Sequence, residues 1–197
     1  MREALPVACA VVTAAAPAPR AAPSGARAVV AGDTLALEPR AIVRWPALGF
    51  HARDPNAGSL VLEVGEGAGR ALLLADVDST VEASLVPGAR PAAFKVAHHG
   101  AATSSGRALL TRARPLVAVI SCGRHNPFGH PDPGAVERLL ASGARVRRTD
   151  RDATVWLELG DGGVREIPWG RTPTSPRVMS GPRQAAAVHS AAAPARW

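Results

Sequence analysis

Short apolar runs that recur between glycine- and proline-marked breaks constrain this chain more than any other feature. "GSLVLEV" (58–64), "RALLLA" (70–75), "AAFKVA" (92–97) and "PLVAVIS" (115–121) are too short for core helices and rich in side chains that strands bury. The first two flank the glycine-rich turn "GEGAG" and predict a hairpin. "PLVAVIS" is apolar without alternation, as a strand covered on both faces should be. Helical stretches fall between the later runs. "DSTVEASLV" (78–86) is closed by Pro87 and Gly88, and "SSGRALLTRA" (104–113) starts with serine as N-cap. "DPGAVERLLASG" (132–143) has Asp132 as N-cap, Pro133 in the first turn and Gly143 as stop. "ARVRRT" and "ATVWLEL" read as a final strand pair around "DRD", and "RAVVAGDTLALEPRAIVRWP" adds short strands at the start. Strands alternating with helices predict a layered α/β domain.

The 197 residues suffice for one domain with a substantial core. Proline and small residues make 14–26, "AAAPAPRAAPSGA", a linker, and "RTPTSPRVMSGPRQAAAVHSAAAPARW" a disordered tail. The expected organisation is a low-complexity segment over 1–27, a folded unit over 28–169 and a tail over 170–197. The opening "MREALPVACAVVTAAAPAP" also has the arginine, apolar stretch and small residues of a weak signal peptide, with Glu3 and Pro6 against that reading. No apolar stretch approaches the roughly 20 residues of a membrane-spanning helix. Two cysteines, Cys9 and Cys122, exclude a disulfide framework and a zinc knuckle, and Cys122 reads as a small buried residue. The net charge of +7 comes from arginine and a single lysine, Lys95. It fits either a polyanionic partner or the coding bias of a GC-rich genome.

The polar residues fall at strand ends. Asp76 follows "ALLLA", His98 and His99 follow "AFKVA", and "CGRHNPFGHPD" after "PLVAVIS" carries His125, Asn126 and His130. Parallel strands place such ends along one edge of an α/β layer, where imidazole and carboxylate together suit zinc, manganese or a similar divalent ion. Each residue also has an ordinary reading. Asp76 can cap the helix near Ser79, the histidine pair can sit solvated in a loop, His130 can shape a turn, and Glu82 can be a solvated carboxylate. His51 and His189 lie outside the cluster.

At these residues the chain resembles the C-terminal part of the metallo-β-lactamase-fold domain of ComEC-type competence proteins, the DNA-uptake family. The matching elements are "NAGSLVL", "LLLAD" with Glu82 downstream, "KVAHHG", "SCGRHNPFGHP" and "RRTDRDA", in the family's order from about Ala28 to Leu159. The resemblance implies an αββα sandwich, here mainly its C-terminal half, and hydrolysis of a phosphodiester such as DNA by a metal-activated water. It makes Asp76 the carboxylate that bridges two metal ions and His99 a metal ligand, with His98 beside it hydrogen-bonding a phosphate oxygen or holding the pocket, His130 facing the substrate and Asn126 orienting it. Zinc or manganese is the implied cofactor. The family's His-x-His-x-Asp-His motif occurs nowhere in the chain. The metal site is therefore expected to be incomplete and the domain truncated, weak or inactive alone, with a homodimer or a separate chain supplying the other half. The alternative is a nucleic-acid-binding or regulatory module using Arg124, Arg145, Arg147 and Arg148. Smaller departures replace a family glycine with Ala75 and with Ala153, and a family serine with Ala101. Family analogy implies membrane association, whereas the lack of an anchor in this sequence favours the bacterial cytoplasm.

Overall fold

The structure, a computed structural model, describes residues 11–13, 26–37, 39–85, 87 and 90–168. The tail expected over 170–197 and most of the segment expected over 1–27 lie outside the described residues.

The chain enters through β1 (Val11–Thr13), which pairs in parallel with β2 (Arg27–Val29). A seven-stranded sheet follows: β3 (Thr34–Leu35), β4 (Ala41–Trp45), β5 (Val61–Val64), β6 (Ala71–Leu73), β7 (Ala93–Lys95), β8 (Val117–Ile120) and β9 (Arg145–Arg148), side by side in chain order. The fold is α/β with a mixed sheet. Strands β3 to β6 form an antiparallel meander, and the predicted hairpin is there, with Leu62 opposite Leu73 and Val64 opposite Ala71. From β6 to β9 the strands run parallel, each reached through a helical crossover. These crossovers hold α1 (Ser79–Ser84), α2 (Arg107–Ala113) and α3 (Pro133–Ala141).

The helices cover one sheet face. Leu72, Phe94 and Ala118 share a register row on it and are almost fully buried, packed in one cluster with Val81, Leu109, Leu110 and Leu139. Burying Phe94 or one of the leucines contributes about 1.5–3 kcal/mol each. The opposite face carries the row Leu62, Leu73, Lys95 and Val119. Here Leu73 is 37% exposed and the other three are half-buried. A second hairpin, β10 (Trp156–Gly160) with β11 (Gly163–Ile167), meets β9 at one side of the sheet. Its Glu166 accepts from Arg147, with a nitrogen 2.7 Å away, and lies 3.7 Å from Arg145.

Three local expectations are corrected. The strand after "DRD" pairs with β11, not with β9. A helical turn, α4 (Thr149–Asp152), and a positive φ at Ala153 turn the chain away before pairing can start. The N-cap of α2 is Gly106 rather than Ser104, and it has no side-chain cap of its own. Glu82 supplies it from α1: its Oε1 accepts from Ser105 N at 2.8 Å and its Oε2 from Gly106 N at 2.5 Å. Glu82 is therefore fully buried, not solvated. Burial pushes its carboxyl above the ordinary 4.5, against the opposing pull of those two N–H groups and Arg138.

Candidate functional site

Three loops leave the same ends of the parallel strands, one after β6, one after β7 and one after β8. They are pinned to one another through backbone atoms. His98 N donates to the Ala75 carbonyl at 2.9 Å, and Asp132 N donates to the Gly100 carbonyl at 2.8 Å. The middle loop is clamped from below as well, because Arg138 donates to the carbonyls of Ala102, Ser104 and Ser105. With Glu82 holding the N–H groups of the same loop, its path is fixed on both sides.

This clamping holds an unfavourable backbone. Ala75, His98 and His99 all have positive φ, at 47°, 45° and 53°. Side chains with a Cβ avoid that region, and such strain persists only where the surroundings over-determine it. Gly100 continues the turn at +81°, and a Cβ there would stand 2.7 Å from Pro131 Cβ. The glycine of "HHG" is thus required twice, by its backbone and by its neighbour.

The first loop frees Asp76. The helix cap that Asp76 can provide from its place in the sequence belongs instead to Asp78, whose Oδ1 accepts from Thr80 N and Val81 N at 2.9 and 3.0 Å. Asp76 stands with its carboxylate partly open, and His99 Nε2 lies 3.8 Å from its Oδ1. The other ring nitrogen of His99, Nδ1, donates to the Ser121 carbonyl at 2.6 Å. Because a carbonyl only accepts, Nδ1 carries the proton of that bond, and Nε2 is the ring nitrogen turned toward Asp76, the orientation a ligating histidine needs.

His98 stands beside this pair. Its ring meets His130 edge-on, centroids 5.8 Å apart, and His130 stacks with Phe128 at 6.0 Å. Asn126 shapes the third loop. Its Nδ2 donates to the carbonyls of Gly123 and His130, and its Oδ1 accepts from His130 N at 2.9 Å. All five residues singled out in the sequence thus reach one edge. In this structure the amide of Asn126 is committed to holding His130 in place.

Lys95 was not among the expected site residues, yet it ends β7 with Nζ 3.4 Å from the Ala75 carbonyl. Burial lowers its pKa and the neighbouring Asp76 carboxylate raises it, with burial the stronger. The sequence signal was its being the only lysine. The Ser121 carbonyl, a backbone group, left no signal at all.

The donor set decides what the edge can hold. Two ligands on a common zinc, each about 2.0–2.2 Å from it, are at most about 4.3 Å apart, so Asp76 and His99 suit one flank of such an ion. A firm site needs three or four protein ligands, and no group of three or more His, Cys, Asp or Glu among the described residues is arranged to hold one. The described residues therefore do not form a metal site by themselves. A cavity of about 830 Å³ between α2 and α3 is lined by Arg90, Arg107, Arg114 and Arg138, among others, and by none of the edge residues. Its size alone does not outweigh the chemistry at the strand ends.

The arginines considered for nucleic-acid contact are mostly engaged. Arg145 and Arg147 face Glu166, Arg148 Nη2 lies 2.7 Å from Asp150 Oδ2, and Arg124 donates to the Asp150 carbonyl. The guanidinium of Arg148 holds the Asp150 carboxyl down to about 2. Cys122 is half-buried, and its thiol donates to Asp150, with burial raising its pKa.

Comparison with known proteins places this arrangement. Competence protein ComA of Neisseria gonorrhoeae is 34% identical over 116 residues, covering 57% of this chain. ComE operon protein 3 of Bacillus subtilis is 30% identical over 130 residues, 63% of this chain, and Recombination protein 2 of Haemophilus influenzae is 31% identical over 141 residues, 67% of it. The chain is homologous to the ComEC-type competence proteins. It spans less than a fifth of the length of these relatives: the matches cover 17%, 16% and 18% of them. No family model matches the chain, and no solved structure does. Ala75 and Ala153, the two positions where the resemblance implies glycine, both have positive φ.

Proposed function

We propose that this chain carries one flank of a phosphodiester-hydrolase site on a metallo-β-lactamase-like sandwich, working in DNA uptake as the names of its relatives indicate. The observation that supports this most is the preset ring orientation of His99, with Nδ1 on the Ser121 carbonyl and Nε2 toward Asp76. A histidine that merely sat in a loop would not need its ring held over a carboxylate by strained backbone.

In this reading Asp76 and His99 hold a divalent ion, zinc or manganese, together with donors from beyond the described residues. When bound, that ion supplies an activated water and stabilises charge on phosphorus. His98 and His130 face the phosphodiester and donate hydrogen bonds to its oxygens, and Asn126 acts through His130 as a positioning residue. Lys95 adds positive charge beside the Asp76 carboxylate. A second chain bearing the family's His-x-His-x-Asp-His half is the natural source of the missing ligands. It would also cover the sheet face around Leu73, which is 37% exposed.

The test is hydrolysis of a labelled oligonucleotide and of an aryl phosphodiester with zinc or manganese, with and without a chain carrying that half. Turnover should need both chains and be lost in Asp76→Ala and His99→Ala. Turnover that survives either substitution would refute the assignment. The alternative, a nucleic-acid module without turnover, predicts oligonucleotide binding and no hydrolysis in any combination.

A further inference from the structure

Where arginines gather elsewhere among the described residues, they gather around a carboxylate. Arg44 and Arg70 meet Glu63, Arg145 and Arg147 face Glu166, and Arg148 holds Asp150. The cleft between α2 and α3 departs from that pattern. Arg90, Arg107, Arg114 and Arg138 line it, and Glu137 is the one acidic residue in the wall so described. The four arginines come from three segments: the stretch before β7, α2 with its C-cap, and α3.

Two of them are set in place by backbone groups. Arg90 Nε donates to the Arg114 carbonyl at 2.7 Å. Arg138 uses Nε and Nη2 on the carbonyls of Ser105, Ala102 and Ser104. Its Nη1 lies on the side of Gly134, where a Cβ would stand 3.3 Å from it. Arg107 and Arg114 are exposed, and neither guanidinium has a hydrogen bond or ion pair among the described residues. Like charges held together without partners repel one another, and a bound anion relieves that repulsion. Guanidinium forks match phosphate oxygens two at a time, which a lysine cannot do. The shape favours a small ligand. Gly134, Ala141 and Ser142 leave the α3 wall nearly bare, and the cleft of about 830 Å³ falls within the roughly 300–1,000 Å³ of small-molecule sites.

We propose that this cleft binds a small polyphosphate anion, of the kind carried by nucleoside diphosphates and triphosphates. Arg107 and Arg114 grip the phosphates, while Arg138 and Arg90 supply charge already fixed by the backbone. Four guanidinium groups less the Glu137 carboxylate leave +3, which calls for a multiply charged ligand. The site lies apart from the strand-end edge and does not rest on the hydrolase reading.

Calorimetric titration of the full chain tests this, in metal-free buffer at about 0.15 M salt, where surface charge is largely screened. The probes are ATP and inorganic tripolyphosphate. Both should bind the wild type. Equal affinities would assign recognition to the phosphate chain alone, and tighter binding of ATP would make a nucleotide the ligand. Arg107→Gln and Arg114→Gln should each weaken both probes by about tenfold to a hundredfold. Ala141→Glu adds a carboxylate to the wall at an exposed helical position and should weaken them too, without removing any arginine. Arg151→Gln, at an exposed arginine outside the cleft, should change nothing. If the wild type binds neither probe, the proposal is overturned. It is overturned as well if binding survives all three cleft variants, which would place the anion elsewhere. Oligothymidine binding lost in Arg107→Gln, with neither probe bound, overturns it too and makes the cleft a contact for a nucleic-acid strand.

Discussion

Replacing alanine by glycine ordinarily destabilises a protein, yet at two positions here the sign should reverse. Ala75 sits at φ 47° and Ala153 at φ 58° with ψ −134°. A Cβ in left-handed backbone costs roughly 1–2 kcal/mol, which glycine removes. Glycine also frees the unfolded chain, which costs about 0.4–1 kcal/mol. The balance for Ala153→Gly is a stabilisation of up to about 1.5 kcal/mol, and the gain for Ala75→Gly is smaller because its half-buried methyl is lost. For a domain of this size each kcal/mol raises Tm by about 2–8 °C. Urea unfolding of the full chain measures it, with Ala135→Gly inside α3 as the opposite control. That variant should lose about 1 kcal/mol from helix propensity alone, and more from its buried methyl. If Ala153→Gly lowers stability by the amount an ordinary site would lose, the backbone strain described at these loops is not there.

Glu82→Gln should lower stability by about 1–3 kcal/mol, because an amide can accept from only one of the two N–H groups that Glu82 satisfies. Its pH dependence has a definite sign. The folded carboxyl binds its proton more tightly than the ordinary 4.5, so wild-type stability relative to the glutamine variant falls as pH rises from 4.5 through the raised value. Parallel pH profiles for the two proteins, from urea titrations between those limits, would contradict the burial of this carboxylate. Asp150 works in the other direction. Its carboxyl is depressed from 3.8 to about 2, so the stability it contributes is complete above 3.8 and is lost as pH falls toward about 2. Asp150→Asn should flatten that acid limb, and an unchanged acid limb would mean that the Arg148 pairing is not maintained in solution.

Much of this architecture could be read from residue order. The apolar runs marked the strands from β5 to β8 correctly, and Asp132, Pro133 and Gly143 bounded α3 because caps and breakers act locally. The convergence of Asp76, His98, His99, Asn126 and His130 followed from their positions at parallel strand ends. What escaped was non-local. Glu82 looked like a solvated carboxylate on a short helix, and only the packing of α1 against α2 shows that it caps its neighbour. Asp78 took the cap that Asp76 could have provided, two residues away, a distinction finer than the pattern resolves. The arginines of β9 looked like an open basic strip until β11, which no sequence signal had marked, brought Glu166 beside them. The cleft between α2 and α3 was hidden in the same way, since its arginines come from separate segments.

The central claim is that Asp76 and His99 are one flank of a metal site whose other donors lie beyond the described residues. Metal content by mass spectrometry, on the purified chain after gel filtration with zinc or manganese, tests it most directly, with light scattering to give the mass of the same sample. The account predicts well under one retained ion per chain, because two protein donors do not hold zinc firmly. One or more ions retained per monomeric chain, and lost in both Asp76→Ala and His99→Ala, would contradict it and make the site complete as it stands.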